Sequence, residues 1–152
     1  MKARQHIKNL YLQSRGVVLR ARPITGGADP APLVPIEAVR RILFIRLDRV
    51  GDVVLSTPAI EVLKKRFPLA ELTVLARPQT VALLENNPDV DRCVVLGPGA
   101  SPAERVRILG GLRRRRFDLA VDPCLDWELA PALVAWASGA RVRVGYPCGG
   151  RE

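Results

Sequence analysis

With 152 residues, 48% of them hydrophobic, the chain is long enough for one domain with a sizeable core. No apolar run reaches the roughly 20 residues needed to cross a bilayer, and the charged N-terminus lacks the apolar centre and cleavage site of a secretory signal. Cys93, Cys124 and Cys148 are too widely spaced for a disulfide framework or a zinc site, and His6 is the only histidine, so no metal and a reducing cytoplasmic compartment are expected.

The net charge of +9 is uneven. Residues 1–41 carry eight Lys/Arg against two acids and residues 42–152 carry sixteen against thirteen, so the cationic character belongs mainly to the N-terminal extension. Within residues 1–20, Ile7, Leu10 and Tyr11 share one face at helical spacing. That segment is either a basic helix on an anionic membrane surface or a solvated arm. Pro23, Pro30, Pro32, Pro35 and Gly26-Gly27 make residues 21–37 read as a linker. Residues 1–40 are thus expected to be extension and linker, and 41–152 the folded domain.

From there strand and helix patterns alternate. Strands are predicted near 41–46, 71–76, 92–96, 117–121 and 141–144, and helices near 52–66, 78–86, 101–116 and 127–138. Such alternation implies βαβ units with right-handed crossovers, hence an α/β fold with a doubly wound, Rossmann-like parallel sheet. The breakers Asn87-Pro88, Gly97-Pro98-Gly99, Gly139 and Pro147 fall between elements. Pro58, inside the first helix, is expected to kink it or to split a short first turn from a main helix starting at Thr57.

Ligands of such sheets bind at the carboxyl ends of the strands, beside the following helix N-termini. The first strand ends at Arg46, and Gly51-Asp52 opens the first helix, which makes Asp52 the residue to watch. Its carboxylate either complements the helix dipole or serves as a general base. Gly51 would let a bulky ligand approach the backbone. Arg46 is either a ligand contact or a surface charge. Asp48 and Arg49 are expected to pair with each other, and Ser56 and Thr57 either to cap the main helix or to touch a ligand. Asp122 and Asp126 follow the fourth strand at the same edge, where Asp122 either binds hydroxyls or caps the next helix. Trp136 is expected in the core and Trp127 near the cleft. Arg113 to Arg116 read as a solvated run suited to a helix C-terminus. No nucleic-acid motif accompanies it, so nucleic acid is not expected as a partner. Gly-x-Gly-x-x-Gly after the first strand and the P-loop pattern are both absent, which removes dinucleotide dehydrogenases and P-loop NTPases. One histidine leaves no Ser-His or Cys-His pair.

The run Arg46-Leu-Asp-Arg-Val-Gly-Asp-Val-Val-Leu-Ser-Thr-Pro-Ala59 resembles the N-terminal motif of family 9 glycosyltransferases, the ADP-heptose:lipopolysaccharide heptosyltransferases. The similarity continues through Ile60-Glu-Val-Leu-Lys-Lys-Arg-Phe-Pro68, Asn87-Pro-Asp-Val-Asp91, Phe117-Asp-Leu-Ala-Val-Asp122 and Ser138-Gly-Ala-Arg-Val-Arg-Val-Gly-Tyr146. The resemblance implies the N-terminal, acceptor-side half of a GT-B enzyme that is inverting and metal-independent. It implies Asp52 as catalytic base and Arg46, Gly51 and Asp122 as acceptor contacts. Relatives often carry small residues at the positions of Asp48 and Arg49, which points to a different acceptor; a polar residue is also often found at Cys124, which counts against acceptor contacts from that loop. No cofactor is implied. The donor, a nucleotide sugar such as ADP-heptose, would be held by a second domain expected to begin about where this chain ends, so the chain is expected to be inactive alone. The implied partner is a glycan or glycolipid acceptor, met in the cytoplasm or peripherally at the inner face of its membrane. The rival expectation is a noncatalytic glycan- or protein-binding α/β module.

Overall fold

The computed structural model describes residues 35–124 and 129–145. After a 3-10 turn at Ile36–Ala38 come β1 (Arg41–Arg46), α1 (Val50–Arg66), β2 (Glu71–Ala76), the single-turn α2 (Ala82–Glu85) and β3 (Arg92–Val95). Then follow α3 (Pro102–Arg114), β4 (Leu119–Asp122), α4 (Leu129–Ala137) and β5 (Val142–Gly145). The strands form one sheet in the order β3-β2-β1-β4-β5, every pairing parallel. This is the expected doubly wound α/β fold. The chain winds outward from β1 to β3, then returns to pair β4 against the other side of β1. That reversal puts a topological switch point between β1 and β4, where their connections leave in opposite directions.

The apolar run of β1 explains its central place. Alternate side chains of a strand face opposite sides, and both sides are buried here. Ile42 and Phe44 pack with Val53 and Ile60 of α1 and with Leu72 and Val74 of β2. Leu43, Ile45 and the following Leu47 pack with Leu112 of α3, Phe117, and Val134 of α4. The sheet is therefore sandwiched between two helical layers.

Three expectations change. Helix α1 runs unbroken through Pro58. Proline withholds the N–H that Val54 O would accept, and the Thr57 hydroxyl supplies a substitute at 2.8 Å. Ser56 likewise bonds back to Asp52 O at 2.6 Å, so neither residue caps a second helix. The helix predicted at 78–86 contracts to α2 because Thr80 closes a turn on Arg77 O through both its N–H (3.1 Å) and its hydroxyl (3.2 Å). Trp136 is half-exposed, not a core residue: on α4 it is Val134 and Ala135 that face the sheet. Residues 1–34 and Trp127 lie outside the described residues, so the basic arm and most of the linker are not assessed. Among the described residues no helix is long and apolar enough to cross a membrane.

The amino edge of the sheet is tied by two aspartates. Asp118 Oδ2 accepts the N–H groups of Arg40 (2.9 Å) and Arg41 (3.0 Å), fastening the start of β1 to β4. Asp91 Oδ2 accepts Leu72 N–H at 2.7 Å and pairs with Lys64 at 2.6 Å. Lys64 also donates to Ala70 O, so α1, β2 and β3 meet there. The arginine run is only partly solvated, since Arg115 pairs with Glu71 of β2 at 2.8 Å.

Candidate functional site

At the carboxyl edge, the switch point gathers Arg46, Asp48, Gly51, Asp52, Asp122 and Cys124. Arg46 ends β1 and its guanidinium turns toward α1. Nε and Nη2 donate to the main-chain oxygen of Asp52 at 3.3 and 3.1 Å, while Nη1 lies 2.7 Å from Asp48 Oδ2. Both side chains of the pair are only 12% exposed. Asp48 Oδ2 is buried without an aligned donor, so the contact with Arg46 is one of charge and not a well-directed hydrogen bond. The expected Asp48–Arg49 pair does not form. Leu47 faces the α3–α4 layer, so strand alternation carried one step beyond β1 puts Arg46 and Asp48 on the α1 side together. That alternation was the sequence signal for their pairing.

Helix α1 starts without a side-chain cap. Arg49 stands at its N-cap in extended conformation (φ −76, ψ 165), and the first intrahelical bond runs from Val53 N–H to Arg49 O at 3.1 Å. The N–H groups of Val50, Gly51 and Asp52 have no partner among the described residues, leaving a polar, positively biased helix end. Asp52, half-buried in this first turn, has its main-chain oxygen bonded by both Arg46 and Ser56. Its carboxylate has no hydrogen-bond or ion-pair partner among the described residues. A Cβ on Gly51 would meet nothing within 4 Å, so packing does not demand glycine at this exposed position.

Across the switch point, Asp122 ends β4 and is 5% exposed. Its Oδ1 accepts Cys124 N–H at 3.1 Å, folding the loop back on the strand end. Cys124 Sγ lies 3.7 Å from Asp48 Oδ1, joining the β1 and β4 loops. Gly145 pairs with Asp122, and a Cβ there would stand 3.2 Å from Asp122 O, so β5 needs glycine to approach this closely. Among the described residues no three His, Cys, Asp or Glu side chains converge.

A cavity of about 490 Å³ opens at the same edge, on the α3–α4 side. Leu47, Leu96, Pro98, Leu133, Val134 and Trp136 form its apolar walls, with Arg77 and Arg105 among the lining; Asp52 is not part of it. Arg105 donates to Pro98 O (2.6 Å) and Ala100 O (2.9 Å), holding the loop after β3 in place. Sequence patterning did not anticipate this hollow, because its lining comes from five separate segments.

No protein-family model matches the chain. It is 26% identical over 107 residues to lipopolysaccharide heptosyltransferase 3 of Escherichia coli strain K12, covering 67% of this chain and 30% of that protein. A second Escherichia coli lipopolysaccharide heptosyltransferase 3 is 29% identical over 99 residues, covering 62% and 28%. Among solved structures, the family 9 glycosyl transferase of Veillonella parvula superposes with a TM-score of 0.62 at 22% identity, covering 70% of this chain and 32% of that one. The ADP-heptose lipopolysaccharide heptosyltransferase II of Escherichia coli gives 0.59 at 28% identity, covering 69% and 30%. The chain spans about 30% of the length of these curated relatives. The resemblance to family 9 heptosyltransferases and the GT-B type of α/β fold are both borne out.

Proposed function

We propose that this domain is the acceptor side of a family 9-like glycosyltransferase that moves a sugar from a nucleotide sugar onto a lipopolysaccharide-type glycan, with Asp52 as general base. The observation that carries the reading is the Asp52 carboxylate: half-buried, at the switch point, and without a partner among the described residues. Its similarity to heptosyltransferases supports the reaction class and makes a heptose the sugar to try first.

In this reaction Asp52 takes the proton of an acceptor hydroxyl as its oxygen attacks the anomeric carbon. The bond from that carbon to the diphosphate oxygen breaks on the opposite face, the nucleoside diphosphate leaves, and the anomeric configuration inverts. Closure of a donor-binding domain over this edge would exclude water from the reacting groups. Gly51 leaves room for the sugar ring. Arg46, anchored to Asp52 O, holds the first turn of α1 against the end of β1. Asp122 supplies an acceptor contact from the far wall. The donor is held by a second GT-B domain, metal-independently, beside a membrane-anchored acceptor.

The test is an amide NMR titration of this chain with a heptose-containing inner-core oligosaccharide and, separately, with ADP-heptose. Acceptor-induced shifts centred on Gly51 to Val53, with none from ADP-heptose, are expected. Absence of any acceptor response at those amides removes the reading and favours the noncatalytic module. In a two-domain enzyme carrying this domain, Asp52→Asn is expected to lower transfer by about 10²–10⁴-fold while donor affinity is kept.

A further inference from the structure

Resting on that reading, we infer that Asp48 selects the acceptor by charge: it occupies Arg46 so that the switch point takes an uncharged sugar face and excludes a phosphate or carboxylate beside the reacting hydroxyl. An arginine at a strand end near a helix N-terminus would ordinarily be an anion receptor. Here its charge is already matched and two of its nitrogens are already engaged. Two nitrogens serve the Asp52 carbonyl and the third faces Asp48 at 2.7 Å. Asp48 cannot swing away cheaply. Its side chain is 12% exposed, and its other oxygen is contacted by Cys124. Displacing it would leave a buried carboxylate with no counter-charge.

The charge balance points the same way. Arg46 contributes one positive charge against the two negative charges of Asp48 and Asp52. The positive pole of α1 is offset by Asp52 in its own first turn. An acceptor anion close to the Asp52 carboxylate at this part-buried strand–helix junction therefore meets net repulsion, worth about tenfold or more in affinity. A hydroxylated, neutral ring meets none. Substituting Asp48 would free Arg46 and leave one positive charge against one negative, removing the net repulsion.

The experiment has two arms, each run on wild type, Asp48→Asn and Asp48→Ser. In the first, inorganic phosphate is titrated while the Arg46 side-chain N–H resonance is followed. Wild type is expected to show no response, and the variants to show saturable shifts. In the second, calorimetry compares a neutral inner-core oligosaccharide with the same glycan bearing a phosphate beside the acceptor hydroxyl. Wild type is expected to prefer the neutral glycan by about tenfold or more, and both variants to lose most of that preference. Phosphate binding at Arg46 in wild type, or an unchanged glycan ratio in the variants, overturns the inference, and the wild-type phosphate arm decides even if both variants misfold. If no glycan binds while phosphate behaves as expected, the anion gate stands and the glycosyltransferase reading falls.

Discussion

If Asp52 is a reacting group, its removal should cost the fold almost nothing, and the structure allows that cost to be worked out. The carboxylate makes no hydrogen bond or ion pair among the described residues, so Asp52→Ala breaks no contact. What is lost is its interaction with the positive end of α1, about 0.3–1 kcal/mol. Alanine returns up to about 0.7 kcal/mol of helix propensity. The net change is within about 0.5 kcal/mol of zero. Asp118→Ala is the matched contrast, because that carboxylate accepts two main-chain N–H groups at 2.9 and 3.0 Å and is 15% exposed. Hydrogen bonds to a charged group are worth about 1.5–3 kcal/mol each, less where water can replace them, as at the exposed Arg40 and Arg41. A loss of about 2–3 kcal/mol follows, or roughly 10 °C in Tm. Urea denaturation and thermal melting of the two variants measure the difference directly. An Asp52→Ala penalty as large as that of Asp118→Ala would mean the carboxylate is a structural member, and the argument for a base would fail.

Three further outcomes are expected. Burial alone would raise the Asp91 carboxyl, but the Lys64 ammonium and the Leu72 N–H outweigh it and hold it below the usual range. A lowered folded value means the stabilisation is complete above the ordinary carboxylate range near pH 4 and is lost as pH falls through it, so the urea midpoint should drop below about pH 4. Asp91→Asn should flatten that drop, and an unaltered acid profile would remove the Lys64–Asp91 tie as its source. Pro58→Ala should raise Tm, by about 1–2 kcal/mol of stability, because an N–H returns opposite Val54 O in an exposed stretch of α1; a lower Tm would show that α1 depends on the proline. Gly145→Ala should force β5 from Asp122, since its Cβ would sit 3.2 Å from Asp122 O, and amide NMR should show the change at Asp122 and Cys124 as well as in β5. Shifts confined to β5 would show that the strand yields without disturbing the site.

Legibility in the sequence followed burial. The central strands β1 and β2 fall at the predicted residues, because a run buried on both faces leaves only one way to read it. The shorter strands β3, β4 and β5 shift by one or two residues, their ends being set by pairing with a neighbour rather than by their own pattern. Residues 78–86 read as one helix because the turn that Thr80 makes on Arg77 has a composition that passes for a helix start. The partner of Asp48 was misread by adjacency. Neighbouring Arg49 looked closest along the chain, but it stands at the helix N-cap, whereas Arg46 is two residues away on the same side of an extended segment.

The family-like motifs carry aspartates at both edges of the sheet, and the motifs alone do not say which do chemistry. Accounting for partners separates them. Asp91 and Asp118 each accept main-chain N–H groups at strand starts on the amino edge, where a parallel sheet offers no crevice. Asp122 is turned to its own loop and to the strand beside it at the carboxyl edge. Asp48 is bound to Arg46. Asp52 alone among these five presents a carboxylate that no described residue has claimed, at the end of the sheet where such folds meet their ligands. Stability does not call for an acid there, since alanine would serve the helix as well. On the reading proposed above, that acid takes a proton from something that arrives from solution.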